Sequence, residues 1–227
     1  MAVDGIDAVH VATDDERIAE HVRAFGGSCL MTSPACANGT ERCAEALAQL
    51  EDEPEIVVNL QGDAPLTPAW FVEELVAALR EREDVDMATP VLRCDLAAWE
   101  EFARDRREGR VGGTTAVFDS DNHALYFSKE VIPWLGPAGA AGLPAIPVFH
   151  HVGLYAYRPG VLRAYRSWAT GPLEASEGLE QLRFLEHGRT VLCVETDARG
   201  RVFWEVNNPE DIERIERALD VAQALVE

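Results

Sequence analysis

Short apolar runs alternate with amphipathic stretches over the first ninety residues of the chain. The runs at 9–12, 29–31, 56–60 and 87–89 have the length and composition of buried strands. Helical spacing follows the first three, in segments that end near residue 25 and that cover 40–50 and about 69–82. This alternation predicts the α/β class with a doubly wound, mostly parallel sheet.

The pattern becomes less regular beyond residue 92. Strands are predicted at 111–118, 124–128, 148–157 and 190–194, with a loop rich in glycine and proline at 136–147. Helices are predicted at 159–168, 174–187 and 209–226. We therefore interpret residues 1–227 as a single domain in which 111–157 forms an inserted, antiparallel β-rich region.

One predicted strand ends in a turn that carries candidate chemistry. The apolar run 56–58 leads to Gln61-Gly62-Asp63, and two prolines then prevent the strand from continuing. Ligands of open α/β sheets bind at the carboxyl ends of strands. Mg²⁺ takes one or two carboxylates together with water and phosphate. Asp63 is therefore a candidate magnesium ligand, with the alternative that it caps the helix beginning near Ala69.

Composition narrows the classes of partner. The chain carries a net charge of -20, which argues against nucleic acid and anionic membranes as partners. No apolar run approaches the ~18 residues of a membrane helix. The first residues have neither the basic nor the apolar part of a signal peptide. We therefore expect a cytoplasmic protein with no membrane partner.

Cysteine and histidine, which often bind metals, are not spaced for it here. The five cysteines include no Cys-x-x-Cys pair, so reduced, mostly buried thiols are expected. His150 and His151 are adjacent, and a strand would direct their rings to opposite faces. The chain also has no glycine-rich phosphate loop. An NAD-dependent enzyme is therefore weakly supported, by Asp14 after the first strand alone.

Several short motifs occur in an order that spans nearly the whole chain. They are Val11-Ala-Thr-Asp14, Met31-Thr-Ser-Pro34, Asn38-Gly-Thr-Glu-Arg42, Val58-Asn-Leu-Gln-Gly-Asp63, Ala124-Leu-Tyr-Phe-Ser128, His151-Val-Gly-Leu-Tyr-Ala-Tyr157, Pro172-Leu-Glu174, Leu179-Glu-Gln-Leu-Arg183 and Asn208-Pro-Glu-Asp-Ile212. In this order they resemble the CMP-Kdo synthetase family, the 3-deoxy-manno-octulosonate (Kdo) cytidylyltransferases. Each motif is weak alone, but the ordered set is specific.

The resemblance implies a nucleotide-diphospho-sugar transferase-like fold and transfer of CMP from CTP to the anomeric hydroxyl of Kdo. This reaction releases pyrophosphate and serves lipopolysaccharide biosynthesis. The resemblance also implies Mg²⁺ as cofactor, CTP and an acid sugar as partners, and a homodimer. Region 111–157 would then serve sugar binding and dimerisation.

The resemblance further implies a role for particular residues. They are Gly39, Thr40 and Arg42 for the nucleotide, Gln61 and Asp63 for catalysis, Asp63 and Asn207 for the metal, and Ser128, Lys129, His151, Tyr155, Glu180 and Gln181 for the sugar. The residues alone allow another interpretation, in which Glu180 and Gln181 lie on a solvated helix face and Tyr155 lies in the core.

The chain departs from the family pattern at four points. The family begins with a strand, a loop whose Arg and Lys wrap the CTP phosphates, and a helix, and this chain starts after all three. Ala64 replaces an acid, Asn207 replaces a second metal carboxylate, and Lys129 replaces an Arg suited to bidentate carboxylate binding. We therefore expect either a true start roughly 40 residues upstream of Met1 or a truncated, inactive relative.

These departures keep two other functions open. The first is a cytidylyltransferase for another acid sugar or for a phosphonate, because Lys129 and Asn207 both alter the acidic end of the site. The second is a non-catalytic subunit that binds nucleotide sugars, which the missing loop favours.

Overall fold

The computed structural model describes residues 3–111, 113–200, 206, 212–213 and 215–216. The strands in this part are β1 (His10–Thr13), β2 (Ser28–Met31), β3 (Val57–Leu60), β4 (Met87–Arg93), β5 (Thr114–Phe118), β6 (Ala124–Ser128), β7 (Phe149–His151), β8 (Leu154–Tyr157) and β9 (Val191–Glu195). The helices are α1 (Glu16–Ala24), α2 (Gly39–Leu47), α3 (Ala69–Glu81), α4 (Leu96–Arg107), α5 (Pro159–Tyr165), α6 (Pro172–Glu177) and α7 (Leu182–Glu186). Most of the predicted helix at 209–226 lies outside the described residues.

The described strands form two sheets. β1 and β2 pair in parallel, and the larger sheet has the order β3-β8-β4-β7-β5-β6, with β9 also paired to β4. In the larger sheet β4 and β9 are parallel, whereas the other pairs are antiparallel. The prediction of a mostly parallel sheet is therefore wrong here, because β8 lies between β3 and β4. Side-chain periodicity shows which face of a strand is buried but not which strand lies beside it.

Helices cover both faces of the larger sheet, and the predicted α/β class with a doubly wound arrangement is confirmed. On one face Leu75 of α3 belongs to the cluster that includes Leu154 and Ala156. On the other face the helices α2 and α5 pack against Tyr155 and Tyr157. Successive residues of a strand point to opposite faces. Strand β8 therefore contributes to both cores.

The first turn of helix α2 lies in space beside Gln61, which follows β3, and α2 contacts strands of both sheets. Asn38 caps it, since the Asn38 side chain accepts a hydrogen bond from the backbone N–H of Glu41 at 2.9 Å. Glu45 on the same helix accepts a bond from the Ser33 N–H, just after β2, at 2.6 Å. The cap and this link fix the first turn of α2, which carries Gly39 and Thr40.

Three further predictions differ from the structure. Helix α4 was not predicted; none of its residues is fully buried, and Ala98, Trp99 and Phe102 pack partly buried against a small apolar cluster. The predicted strand at 148–157 divides into β7 and β8. The predicted helix at 174–187 divides into α6 and α7, because Gly178 adopts a left-handed conformation with φ of 63° and ends α6.

The cysteines and histidines agree with their sequence predictions only in part. The described cysteines are all free thiols, but only Cys94 and Cys193 are buried, so the prediction of mostly buried thiols is wrong. The His150 ring packs edge-on against Phe102, whereas the His151 ring packs edge-on against Phe127 on the other face. No helix in the described ranges is both long and apolar enough to cross a bilayer.

Candidate active site

A carboxylate joins three distant parts of the chain at the first turn of α2. The Thr40 N–H donates to Glu180 Oε2 at 2.8 Å, and Gln61 Nε2 donates to Glu180 Oε1 at 2.8 Å. Glu180 lies between α6 and α7, not on the solvated helix face that was one interpretation of the sequence. Burial raises the pKa of the Glu180 carboxyl, although the hydrogen bonds from Thr40 and Gln61 lower it in part.

Gly39 lies beside these groups and leaves room for them. A Cβ at this position would lie 3.1 Å from Gln61 Nε2, 3.3 Å from Asn59 Nδ2 and 3.7 Å from Glu180 Oε1. Two amide groups and a carboxylate thus converge on a backbone position that has no side chain. Such a surface can hold an oxygen-rich ligand, because it offers both donors and acceptors close to the backbone.

The rings of His151 on β7 and of Tyr155 and Tyr157 on β8 form a row that reaches the first turn of α2 at Thr40. The ring centroids of His151 and Tyr155 are 5.7 Å apart, and those of Tyr155 and Tyr157 are 5.9 Å apart. The Tyr155 hydroxyl donates to Gln181 Oε1 at 3.3 Å, and the Tyr157 hydroxyl is 2.8 Å from Thr40 Oγ1. Tyr155 is thus buried in the core, as one interpretation held, and also linked to Gln181.

His151 is held as a neutral ring. Burial lowers its pKa to about 3, and neighbouring His150 acts in the same direction. Its Nε2 lies 2.9 Å from Thr89 Oγ1, and the Thr89 hydroxyl donates to the Leu154 carbonyl at 2.9 Å. The His151 Nε2 therefore carries the proton and donates to Thr89, which leaves Nδ1 as the nitrogen with a lone pair.

Arg42 points away from the Glu180 cluster. Its Nη1 donates to Thr32 Oγ1 at 2.7 Å and lies 3.3 Å from Asp14 Oδ1. Arg42 therefore shares α2 with Gly39 and Thr40 but contacts the ends of β1 and β2. Asp14 holds the guanidinium there, and this partner was not predicted from the sequence.

Ser128 and Lys129 contact the end of α6. Ser128 Oγ donates to Glu177 Oε1 at 2.7 Å, and the Lys129 N–H donates to Glu177 Oε2 at 2.9 Å. The Lys129 ammonium lies 3.1 Å from where a Cβ of Gly178 would be. Glu177 thus anchors these two residues one turn before Glu180.

Asp63 lies on an exposed turn after β3. Helix α3 begins at Ala69 with Pro68 at its cap and has no side-chain capping bond, so the interpretation of Asp63 as a helix cap is wrong. The Asp63 carbonyl accepts a hydrogen bond from the Val206 N–H at 2.7 Å, which brings this part of the chain to the turn. Asn207 lies outside the described residues.

The exposed carboxylate of Asp63 could supply one of the protein ligands of a magnesium site. In the part of the chain that the structure describes, no group of three or more His, Cys, Asp or Glu residues could hold a metal by itself. Mg²⁺ at nucleotide sites uses one or two carboxylates and takes its remaining oxygens from water and phosphate. Asp63 would be such a carboxylate, and the phosphates would have to complete the shell.

The structure therefore brings together six of the predicted residues and separates others. Those assembled around Glu180 and the aromatic row are Gly39, Thr40, Gln61, Tyr155, Glu180 and Gln181, with His151 in ring contact. Arg42, Asp63 and the Ser128–Lys129 pair lie at other edges. Asn59 was missed, although a polar residue inside the apolar run 56–60 was a readable signal.

The comparisons with known proteins indicate one family. A sequence model described as cytidylyltransferase matches residues 2–191. A 3-deoxy-manno-octulosonate cytidylyltransferase from Maricaulis maris (strain MCS10) is 41% identical over 225 residues, 99% of this chain and 85% of its own length. One with the same name from Chlamydia abortus is 41% identical over 94% of this chain and 78% of its own.

A solved structure gives the same result in three dimensions. It is that of CMP:2-keto-3-deoxy-manno-octonic acid synthetase complexed with CTP, with a TM-score of 0.81 and 32% identity. The match covers 98% of this chain and 83% of that one. The predicted nucleotide-sugar-transferase-like fold is therefore confirmed. On this identity and coverage, the chain belongs to the 3-deoxy-manno-octulosonate cytidylyltransferase, or CMP-Kdo synthetase, family.

Proposed function

We propose that this protein transfers CMP from CTP to the anomeric hydroxyl of Kdo and releases pyrophosphate. The observation that carries the proposal is the junction of Thr40, Gln61 and Glu180. It joins residues implicated in nucleotide binding and catalysis to one implicated in sugar binding through two hydrogen bonds of 2.8 Å. A nucleotidyl transfer needs such a junction, because the sugar oxygen must reach the α-phosphorus of the nucleotide.

The proposed reaction is a direct displacement. The anomeric hydroxyl of the sugar gives up its proton to solvent as its oxygen forms a bond to the α-phosphorus of CTP, the bond from that phosphorus to the oxygen bridging to the β-phosphate breaks, and pyrophosphate leaves. Mg²⁺, when bound, neutralises charge on the phosphates. The chain's own residues hold the site in place: Glu180 accepts hydrogen bonds from the protein on both oxygens, and the rings of neutral His151 and Tyr155 pack against each other.

The test is pyrophosphate release from CTP and Mg²⁺ by the full-length protein, with Kdo as acceptor. Release that requires Kdo supports the proposal. Release with a sialic-acid-like sugar or a phosphonate, but not with Kdo, would assign the second substrate class, which Lys129 favours. Binding of CTP and Kdo without turnover would point to a non-catalytic subunit.

Asp63 has its own test within this assay. We propose that it ligates Mg²⁺, so Asp63→Asn should lower turnover at least a hundredfold and raise the Mg²⁺ concentration needed for half-maximal activity, because an amide brings no charge. Asp52→Asn, at another exposed turn position, is the matched control and should retain wild-type turnover. Unchanged magnesium dependence in the Asp63 variant would refute the role.

We also propose a homodimer that uses the region 111–157, where β5 to β8 lie. Trp134 is 82% exposed, and Leu125 is 62% exposed on the same region. Large apolar side chains in contact with water favour burial against another chain. Light scattering measures the mass directly, and a monomer at micromolar concentration would contradict the proposal. A cytoplasmic location stays a prediction of the sequence.

A further inference from the structure

Asn59 is a buried polar residue in a strand that is otherwise apolar. It lies in β3, and its side chain is 6% exposed. Asparagine is disfavoured in strands, where β-branched and aromatic residues fit better. Its cross-strand partner on β8 is Tyr155, so Asn59 faces the same side as the aromatic row. If core packing alone determined the residue at position 59, an apolar side chain would be expected there.

The Asn59 amide nitrogen has no hydrogen-bond partner among the described residues. Glu180 Oε1 accepts from Gln61 and Glu180 Oε2 accepts from Thr40, and neither oxygen is a hydrogen-bond partner of Asn59 Nδ2. A buried donor without a partner destabilises a fold, and such groups in native proteins require a specific explanation. Asn59 therefore does not serve the stability of the free protein through this nitrogen.

The unpartnered nitrogen lies beside Gly39. It lies 3.3 Å from where a Cβ of Gly39 would be, next to Gln61 Nε2 at 3.1 Å. The unpartnered donor thus belongs to the same group of polar side chains as Gln61 and Glu180, at the first turn of α2. A ligand that satisfies this donor must present an oxygen acceptor to Asn59.

We propose that Asn59 is a further substrate-binding residue, whose Nδ2 donates a hydrogen bond to a carboxylate or hydroxyl oxygen of the acceptor sugar. This inference rests on the proposed function, because it takes an acid sugar as the ligand. The sugar is favoured over the nucleotide because Asn59 is paired with Tyr155 across the strands and lies beside Glu180. A pocket that discriminates hydroxylated substrates needs fixed donors of this kind.

The test uses Asn59→Leu, which keeps the approximate shape and removes the donor. The KM for Kdo should rise about tenfold, the effect of losing one hydrogen bond, whereas the KM for CTP should change less than twofold. The ligand-free variant should melt at or above the wild-type temperature, because the unpartnered amide is gone. Val57→Ala, two residues earlier on the same face of β3, is the control; it should melt lower and keep both KM values.

Three outcomes would overturn the inference. A rise in the KM for CTP alone would assign the donor to the nucleotide. A lower melting temperature with both KM values unchanged would assign Asn59 to the fold. Unchanged Kdo affinity, measured by calorimetry on the wild type and on Asn59→Leu, would exclude the contact directly.

Calorimetry also separates this inference from the proposed function. If the wild type binds Kdo but releases no pyrophosphate, the proposed reaction fails, and a tenfold weaker Kdo affinity in Asn59→Leu still supports the contact. If the wild type turns over and Asn59→Leu is unchanged, the inference fails alone. No Kdo binding by the wild type overturns both.

Discussion

At the scale of single residues, the site depends both on a glycine that has no side chain and on the polar side chains around it. Gly39 starts α2 and is bordered by Gln61, Asn59 and Glu180 within 3.7 Å of a Cβ position. A methyl group there would occupy the space that the three polar groups share. Because the backbone of Gly39 is not in a left-handed conformation, the constraint on this glycine is spatial.

Gly39→Ala therefore tests the site without unfolding the protein. The Cβ displaces two amide side chains, so kcat/KM for CTP and Kdo should fall at least tenfold. The free energy of unfolding should change by less than about 1 kcal/mol, because alanine is favoured over glycine in a helix by a similar amount. Pyrophosphate release and urea unfolding measure the two quantities.

The control for this prediction lies on another helix. Gly160 on α5 has nothing within 4 Å of its Cβ position, so Gly160→Ala should retain activity and stabilise slightly. Equal kcat/KM values for Gly39→Ala and the wild type would contradict the spatial argument.

At the scale of elements, a buried ion pair holds the segment that carries Glu180 in place. Arg183 of α7 donates two hydrogen bonds to Glu174 of α6, at 2.6 and 2.7 Å, and one to Glu41 of α2 at 3.0 Å. Its guanidinium also lies 4.2 Å from the centre of the Tyr165 ring. The two short helices and α2 are thereby joined around the residue that contacts Thr40.

Arg183→Leu should lower the free energy of unfolding by about 3–5 kcal/mol, because it leaves the Glu174 carboxylate buried and unpaired. The double variant Arg183→Leu, Glu174→Leu should recover part of this loss, since both charges are then absent. Urea unfolding of the four proteins in a double-mutant cycle measures the coupling.

An exposed ion pair provides the comparison. Arg23 and Glu16 of α1 are 2.6 Å apart with side chains that are half exposed or more. Arg23→Leu should lower the free energy of unfolding far less than Arg183→Leu does, because water screens an exposed ion pair. For the buried pair, the double-mutant cycle gives the result that would contradict the prediction. If the losses of unfolding free energy in Arg183→Leu and Glu174→Leu add up to the loss in the double variant, the two residues act independently.

At the scale of the whole molecule, the two buried histidines make folding sensitive to acid. Burial lowers the pKa of His150 to about 4 and that of His151 to about 3. In the unfolded chain both titrate near the ordinary value of about 6.5, so the unfolded state binds more protons below that pH. Stability is therefore highest above pH 6.5 and falls as pH decreases toward 3.

Each histidine should contribute a loss of about 1.4 kcal/mol per pH unit below 6.5. His151→Phe should remove one of these contributions and flatten the fall in unfolding free energy between pH 6.5 and 4.5. Urea unfolding at several pH values measures the slope. His21→Gln, at an exposed position of α1, should leave the slope unchanged, and an equal slope in His151→Phe would contradict the argument.

Much of the secondary structure could be predicted from the local sequence pattern. The strand at 124–128 has the predicted bounds, and α3 was predicted to within one residue, because apolar periodicity reports local structure. The direction of strand pairing could not be predicted from local pattern, because β8, which lies between β3 and β4 in the sheet, is about 100 residues after β3 along the chain. The break at Gly178 was missed because glycine within an apolar pattern does not by itself mark a helix end.

The ordered motifs of the sequence were sufficient to identify the family and to nominate most of the candidate site. The tertiary structure decided which of the candidate residues contact one another. Thr40 and Gln61 reach Glu180 across 140 and 119 residues of chain, and no local rule encodes a contact at that distance. Whether a polar side chain has a partner is also a property of packing. For this reason the unpartnered amide of Asn59 became visible only in the folded molecule.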